Sequence, residues 1–116
     1  MNAVGELYAN PAEQERQRHA RIRARAARIL TAIQYAENVC KTPDGRRVEP
    51  SFAARAGRVW DNCEADGLEV SGAIESLLDT IRTIAERGGF QVSPGAYFNS
   101  VFGKKIRAAG GEWGGK

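Results

Sequence analysis

The chain of 116 residues is poor in the residue types that most cofactor sites need. It has one histidine, His19, two cysteines and four prolines. Because this histidine has no cysteine or acidic cluster at ligand spacing, a zinc site is excluded. As a general base, His19 would also lack an orienting acid beside a nucleophile. Gly88-Gly89 and Gly110-Gly111 have the positions of helix stops, so neither pair reads as a phosphate-binding loop. We therefore expect no catalytic residues, no metal and no cofactor, and a binding protein rather than an enzyme.

Long hydrophobic runs and a cysteine pairing motif are missing as well. No apolar run approaches the length of a membrane span, and the opening segment lacks the basic and apolar regions of a secretory signal. We expect a cytoplasmic protein that does not contact a membrane. In a reducing compartment Cys40 and Cys63 are expected to be free thiols.

Length and composition predict one helical domain over residues 1–116, with 1–9 and 110–116 flexible. The hydrophobic fraction of 42% and the charged fraction of 27% are ordinary for a globular protein. Apolar residues recur at spacings of three and four, and each apolar stretch is preceded by a candidate N-cap, namely Asn10, Ser51, Ser71 and Ser93. The sequence predicts an all-α fold, a small four-helix bundle with a long N-terminal helix, spanning about 11–41, 51–65, 71–87 and 94–108.

Two details of this fold stay open. A first helix of about thirty residues is roughly 45 Å long, so it either kinks or projects past the core. The stretches 68–70 and 90–92 are candidates for a short pair of strands. The expected core consists of Ile29, Ile33, Trp60, Leu77, Ile81, Phe98 and Phe102.

An arginine run is the strongest functional signal. Six arginines lie within residues 16–28 with no acid among them. On a helix, Arg18, Arg21, Arg25 and Arg28 share one flank of the apolar stripe, where guanidinium groups can contact successive phosphates. In the alternative interpretation they pair with the acidic middle of the chain, where residues 51–90 hold seven acids against four basic residues. Those acids are Asp61, Glu64, Asp66, Glu69, Glu75, Asp79 and Glu86.

Two further features lie near the end of the chain. Lys104, Lys105 and Arg107 form a second basic patch, which either contacts nucleic acid or complements the dipole of the last helix. Trp113 stands in a glycine-rich tail. An exposed indole can stack on a base or enter a partner's pocket; the other possibility is that it folds back onto the bundle.

The last thirty residues carry a family resemblance. The segment Ile84-Ala85-Glu86-Arg87, the helix start Ser93-Pro94-Gly95-Ala96-Tyr97-Phe98 and the ending Arg107-Ala108-Ala109-Gly110-Gly111-Glu112-Trp113 resemble the helical C-terminal part of plasmid replication initiators of the alphaproteobacterial RepC type. The chain lacks the upstream winged-helix region of those initiators. The resemblance implies an origin on a mobile element more than a particular activity.

Two functions from different classes follow. The first is a small, basic, nucleic-acid-associated accessory or regulatory protein of a plasmid or phage, which binds mainly through phosphate contacts from the arginine-rich helix. The alternative is a protein–protein interaction module, such as a mobile-element inhibitor of a host defence complex of the anti-CRISPR kind. The expected partner is thus nucleic acid or an acidic protein surface, and a homodimer is compatible with either function.

Overall fold

The protein is all-α over the residues that the computed structural model describes, which are 10–40, 42–43 and 45–114. No strand forms within these ranges, so the alternative of paired strands at 68–70 and 90–92 is wrong. The predicted four-helix fold with a long first helix is confirmed. The helices are α1 (Pro11–Val39), α2 (Pro50–Ala65), α3 (Ser71–Glu86) and α4 (Pro94–Ala108).

Two of the four helix starts follow the predicted capping chemistry. The side-chain Oδ1 of Asn10 accepts a hydrogen bond of 2.9 Å from the backbone N–H of Glu13. Ser93 Oγ accepts one of 3.2 Å from the N–H of Ala96 at the start of α4. Each bond satisfies a backbone donor that has no partner within its helix. Ser51 does not cap α2, since that helix begins at Pro50 without a side-chain cap.

The start of α3 is capped from another helix. Glu64 of α2 accepts hydrogen bonds from the backbone N–H of Ser71 at 3.1 Å and from its hydroxyl at 2.7 Å. The same hydroxyl accepts a bond of 2.8 Å from the indole N–H of Trp60. The hydrogen bond from the Ser71 hydroxyl lowers the pKa of Glu64. Ser71 therefore joins α2 to α3 instead of serving as the predicted N-cap.

The predicted core is confirmed. All seven residues named from the sequence are buried, and they belong to one cluster with Ala36, Val70, Ile74 and Ile106. Phe98 and Phe102 stack within it, with ring centroids 4.9 Å apart. The apolar spacing of each helix thus identified the face that it buries.

The first helix projects beyond the core. The principal-axis extents of the protein are 59 × 26 × 23 Å, and α1 alone, with 29 residues, is about 44 Å long at 1.5 Å per residue. Between Asn10 and Arg21 no residue is buried, and Ile22 is the first that is. The N-terminal turns of α1 are therefore the projecting part.

Helices α1 and α2 approach each other closely at Gly57. A Cβ atom at this position would lie 2.9 Å from the backbone nitrogen of Ala26 and 3.0 Å from the carbonyl oxygen of Ile22. Real side chains do not tolerate such distances to backbone atoms, so only glycine allows this crossing. The position of α2 along α1 depends on this contact.

We expect Gly57→Ala to destabilise the protein by about 1–3 kcal/mol, because the methyl group forces the two backbones apart. Gly72→Ala is the matched control, since a Cβ at Gly72 of α3 meets nothing within 4 Å. Alanine there should leave stability unchanged or raise it by up to about 1 kcal/mol. Urea unfolding measures both variants, and equal stabilities would contradict the close contact.

Candidate functional site

The predicted arginine face of α1 is present, but it is turned toward α2 and α3 and paired with their acids. Arg21 Nε lies 3.0 Å from Asp61 Oδ1, and Arg25 Nη1 lies 3.4 Å from the same oxygen. Arg28 forms a two-pronged ion pair with Glu75. Hydrogen bonding to these carboxylates raises the pKa values of Arg21 and Arg28. For Arg21, Arg25 and Arg28 the structure therefore has the alternative that the sequence left open, in which they pair with the acidic middle of the chain.

Asp61 is the centre of this arrangement. It is only 3% exposed, and a carboxylate so buried needs partners to offset its lost hydration. Arg25 also lies over the ring of Trp60, with its guanidinium carbon 5.0 Å from the ring centroid. Arg18 of the same flank donates to Asn62 Oδ1 at 3.2 Å and approaches Glu15 at 3.6 Å. These guanidinium groups therefore stabilise the bundle through contacts within the protein, and those contacts would have to break for a partner to bind them.

The remaining predicted cations have different surroundings. Lys104 and Lys105 are exposed on α4 and have no acidic partner in the part of the chain that the structure describes. Arg107 donates to the backbone oxygen of Trp113 at 3.2 Å. On α1, Arg16 pairs with Glu13, whereas Arg23 is exposed and without an ion pair among the described residues.

Trp113 is buried. Only 6% of it is exposed, and its ring lies between α2 and α4, 4.8 Å from the Phe102 ring and 5.9 Å from the Phe52 ring. The indole N–H donates a hydrogen bond of 2.6 Å to Asn99 Oδ1. Of the two placements that the sequence left open, the structure has the second: the ring has folded back, because two aromatic neighbours and an amide acceptor satisfy it there. The assignment of Trp113 as a partner-binding residue is therefore corrected.

Two glycines make room for this tail. A Cβ on Gly103 would lie 2.8 Å from Cδ1 of Trp113, and one on Gly111 would lie 2.8 Å from the sulfur of Cys63. Both cysteines are free thiols, and burial raises the pKa of Cys63. Of the tail predicted to be flexible, residues 110–114 are thus held by Trp113, while 115–116, like 1–9, lie outside the described residues.

A cleft of about 360 Å³ gathers three arginines that the sequence had not singled out. Arg46 and Arg47 come from the loop before α2, and Arg55 comes from α2 itself. The first turn of α4 forms another wall, at Ser93, Gly95 and Ala96. Glu49 is the only acid among the lining residues. We call this feature the basic cleft.

Arg55 is held in the basic cleft by aromatic rings. Its guanidinium carbon lies 4.4 Å from the centroid of the Trp113 ring and 5.8 Å from that of Phe52. It forms no ion pair with an acid among the described residues. Stacking of this kind orients the planar guanidinium without neutralising it, so its N–H groups can still bind an anion.

The loop that carries Arg47 is tied to the end of α1. Arg47 donates to Asn38 Oδ1 at 2.6 Å, and its Nε lies 3.9 Å from Glu37 Oε1. The buried Glu37 also accepts a hydrogen bond of 2.6 Å from the backbone N–H of Val48. These contacts place the Arg46-Arg47 pair beside α2.

Adjacent arginines before a proline-initiated helix, with a third arginine inside it, were visible in the sequence. What brings them into one cleft is tertiary: the docking of Trp113 under Arg55 and the position of the first turn of α4. No local pattern encodes either.

Other kinds of site find little support. No group of three or more His, Cys, Asp or Glu side chains in the described ranges is arranged to hold a metal ion. Within the same ranges, every helix is too short or too polar to cross a membrane. Comparisons of the chain with protein-family models, curated proteins and solved structures gave no match.

The double substitution Arg21→Gln with Arg25→Gln should destabilise the fold by about 3 kcal/mol, because it leaves the buried carboxylate of Asp61 without a cationic partner. The control is Arg16→Gln with Arg23→Gln, which removes the same charge from the exposed face of α1. Exposed ion pairs contribute little, so its unfolding midpoint in urea should stay close to that of the wild type. Similar midpoints for both variants would contradict the role given to Asp61.

Replacing Trp113 with alanine should lower the free energy of unfolding by about 3–5 kcal/mol, as for other buried aromatic residues. The matched control is Glu112→Ala, since Glu112 is the exposed neighbour. Thermal unfolding followed by circular dichroism measures both. A Trp113→Ala variant as stable as the control would show that the ring does not complete the core in solution.

Proposed function

We propose that the protein is a small nucleic-acid-associated accessory or regulatory protein that binds phosphate groups and catalyses no reaction. The observation that carries this proposal is the basic cleft, where a guanidinium group without an acidic partner among the described residues, that of Arg55, lies beside Arg46 and Arg47. Arginine binds phosphate oxygens through two parallel N–H donors. Origin on a plasmid or phage, suggested by the resemblance, belongs to the same proposal.

The structure changes where on the molecule this binding is expected. The guanidinium groups of Arg21, Arg25 and Arg28 are engaged by Asp61 and Glu75. A phosphate would have to displace a carboxylate from each of them, and the buried Asp61 would then lose its partner. We therefore assign the main phosphate contacts to the basic cleft. Lys104 and Lys105, exposed on α4, are a second point of contact.

The alternative function, an inhibitory protein–protein interaction module, would use an interface made of Trp113, the aromatic face of α4 and a charged face. Trp113, Phe98 and Phe102 are all buried. Interface hot spots are aromatic or arginine side chains that enter a partner's pocket, and these rings are already used by the core. Nucleic-acid binding is therefore the better-supported proposal.

Replacing Arg46 and Arg55 together by glutamine should weaken binding to a labelled oligonucleotide by about tenfold or more, since hydrogen bonds to charged groups contribute roughly 1.5–3 kcal/mol. The slope of log affinity against log salt should become shallower by about 1–2 units, because fewer counterions are released. Fluorescence anisotropy over a series of salt concentrations measures both quantities. Arg47 is left unchanged, since it contacts the buried Glu37.

The matched control is Arg23→Gln with Arg87→Gln. Both arginines are exposed, neither lines the cleft, and the change in net charge is the same. Its affinity should fall far less than that of the cleft variant. Equal losses in the two variants would mean that only net charge matters, and no binding by the wild-type protein would refute the proposed function.

A further inference from the structure

We infer that the basic cleft seats the terminal phosphate monoester at the end of a nucleic-acid strand. This inference rests on the proposed function and specifies which phosphate is recognised. It is carried by three observations: three arginines line one cleft, the walls of this cleft come from the loop before α2, from α2 and from α4, and Arg55 is held against aromatic rings.

The cleft is separate from the arginine face of α1, where three of the guanidinium groups are already ion-paired. A strand bound along its backbone needs a track of cations that matches successive phosphates. The arginine face of α1 is the place where such a track was expected. Its members Arg21, Arg25 and Arg28 are ion-paired with Asp61 and Glu75. The arginines of the basic cleft lie together at one place, which suits the binding of one phosphate group better than the binding of several successive phosphates.

The arrangement of the cleft suits a group with several free oxygens. Arg46 and Arg47 line it from the loop before α2, Arg55 lines it from α2, and the first turn of α4 closes another side. A terminal monoester has three free oxygens and close to two negative charges at neutral pH. An internal diester has two free oxygens and one charge, and its chain must leave in both directions. Three arginines and one acid, Glu49, line the cleft. Arg47 also contacts Glu37, so Arg55, which has no acidic partner among the described residues, is the group that we assign to the dianion.

Glycine keeps the α4 wall open. A Cβ at Gly95 would meet only the side chain of Val48, at 3.9 Å. The Arg55 guanidinium, which also lines the cleft, lies over the Trp113 ring, with its carbon 4.4 Å from the ring centroid. A side chain held in this way loses little conformational freedom when it binds, so more of the interaction appears as affinity.

The test compares one oligonucleotide sequence in three forms, with a 5′-phosphate, with a 3′-phosphate and with hydroxyl groups at both ends. Binding to the full chain is measured by anisotropy at fixed salt. We expect at least one phosphorylated form to bind about tenfold more tightly than the hydroxyl form. In Arg55→Gln this preference should disappear. Arg58→Gln is the matched control, an exposed arginine one turn further along α2 that does not line the cleft.

The outcomes separate this inference from the function on which it rests. If all three forms bind equally with a steep salt dependence, the inference is wrong and the proposed function stands. If no oligonucleotide binds, both are wrong. A phosphoserine peptide that binds more tightly than every oligonucleotide would also overturn both. A preference that persists in Arg55→Gln would place the phosphate outside the cleft; Arg46→Gln repeats this test should Arg55→Gln fail to fold.

Discussion

The close contact between α1 and α2 is the constraint on which the other features depend. At Gly57 the two helices are so close that there is no room for a methyl group between them. One turn further along α2, this places Asp61 against Arg21 and Arg25. Trp60, beside Asp61, receives the Arg25 guanidinium on its ring and bonds to Ser71 at the start of α3. The helix crossing, the buried ion pair and the start of α3 therefore form one connected unit.

Pairing with α2 and α3 accounts for three arginines of the run, Arg21, Arg25 and Arg28. Lysine would supply the same charge, but its ammonium group cannot form a two-pronged contact with Glu75 or stack flat on Trp60. A run of arginines without an intervening acid suggested an external anion. Within the bundle, the acids that balance it come from α2 and α3, more than thirty residues away in the chain. A charge run in one helix is thus poor evidence for a partner when an acidic segment lies elsewhere in the same chain.

The fold could be predicted from the sequence because its determinants are local. Apolar spacing identified the buried faces, and Asn10 and Ser93 act as the caps that their positions indicated. The failures involve contacts between distant residues. Ser71 bonds to Glu64 and Trp60 instead of capping its own helix. Trp113 was left between two placements, since a tail of glycines has no periodicity to show which surface it covers. The basic cleft was missed for the same reason.

The stacking of Arg55 on Trp113 has a thermodynamic consequence. The ring belongs to the core and the guanidinium belongs to the cleft, so one contact connects them. Coupling between two sites is reciprocal. Any anion that prefers Arg55 in its stacked position must strengthen the docking of the tail by the same free energy, and any event that releases the tail must weaken the cleft. Binding of an anion in the basic cleft and docking of the Trp113 tail onto the core are therefore linked equilibria.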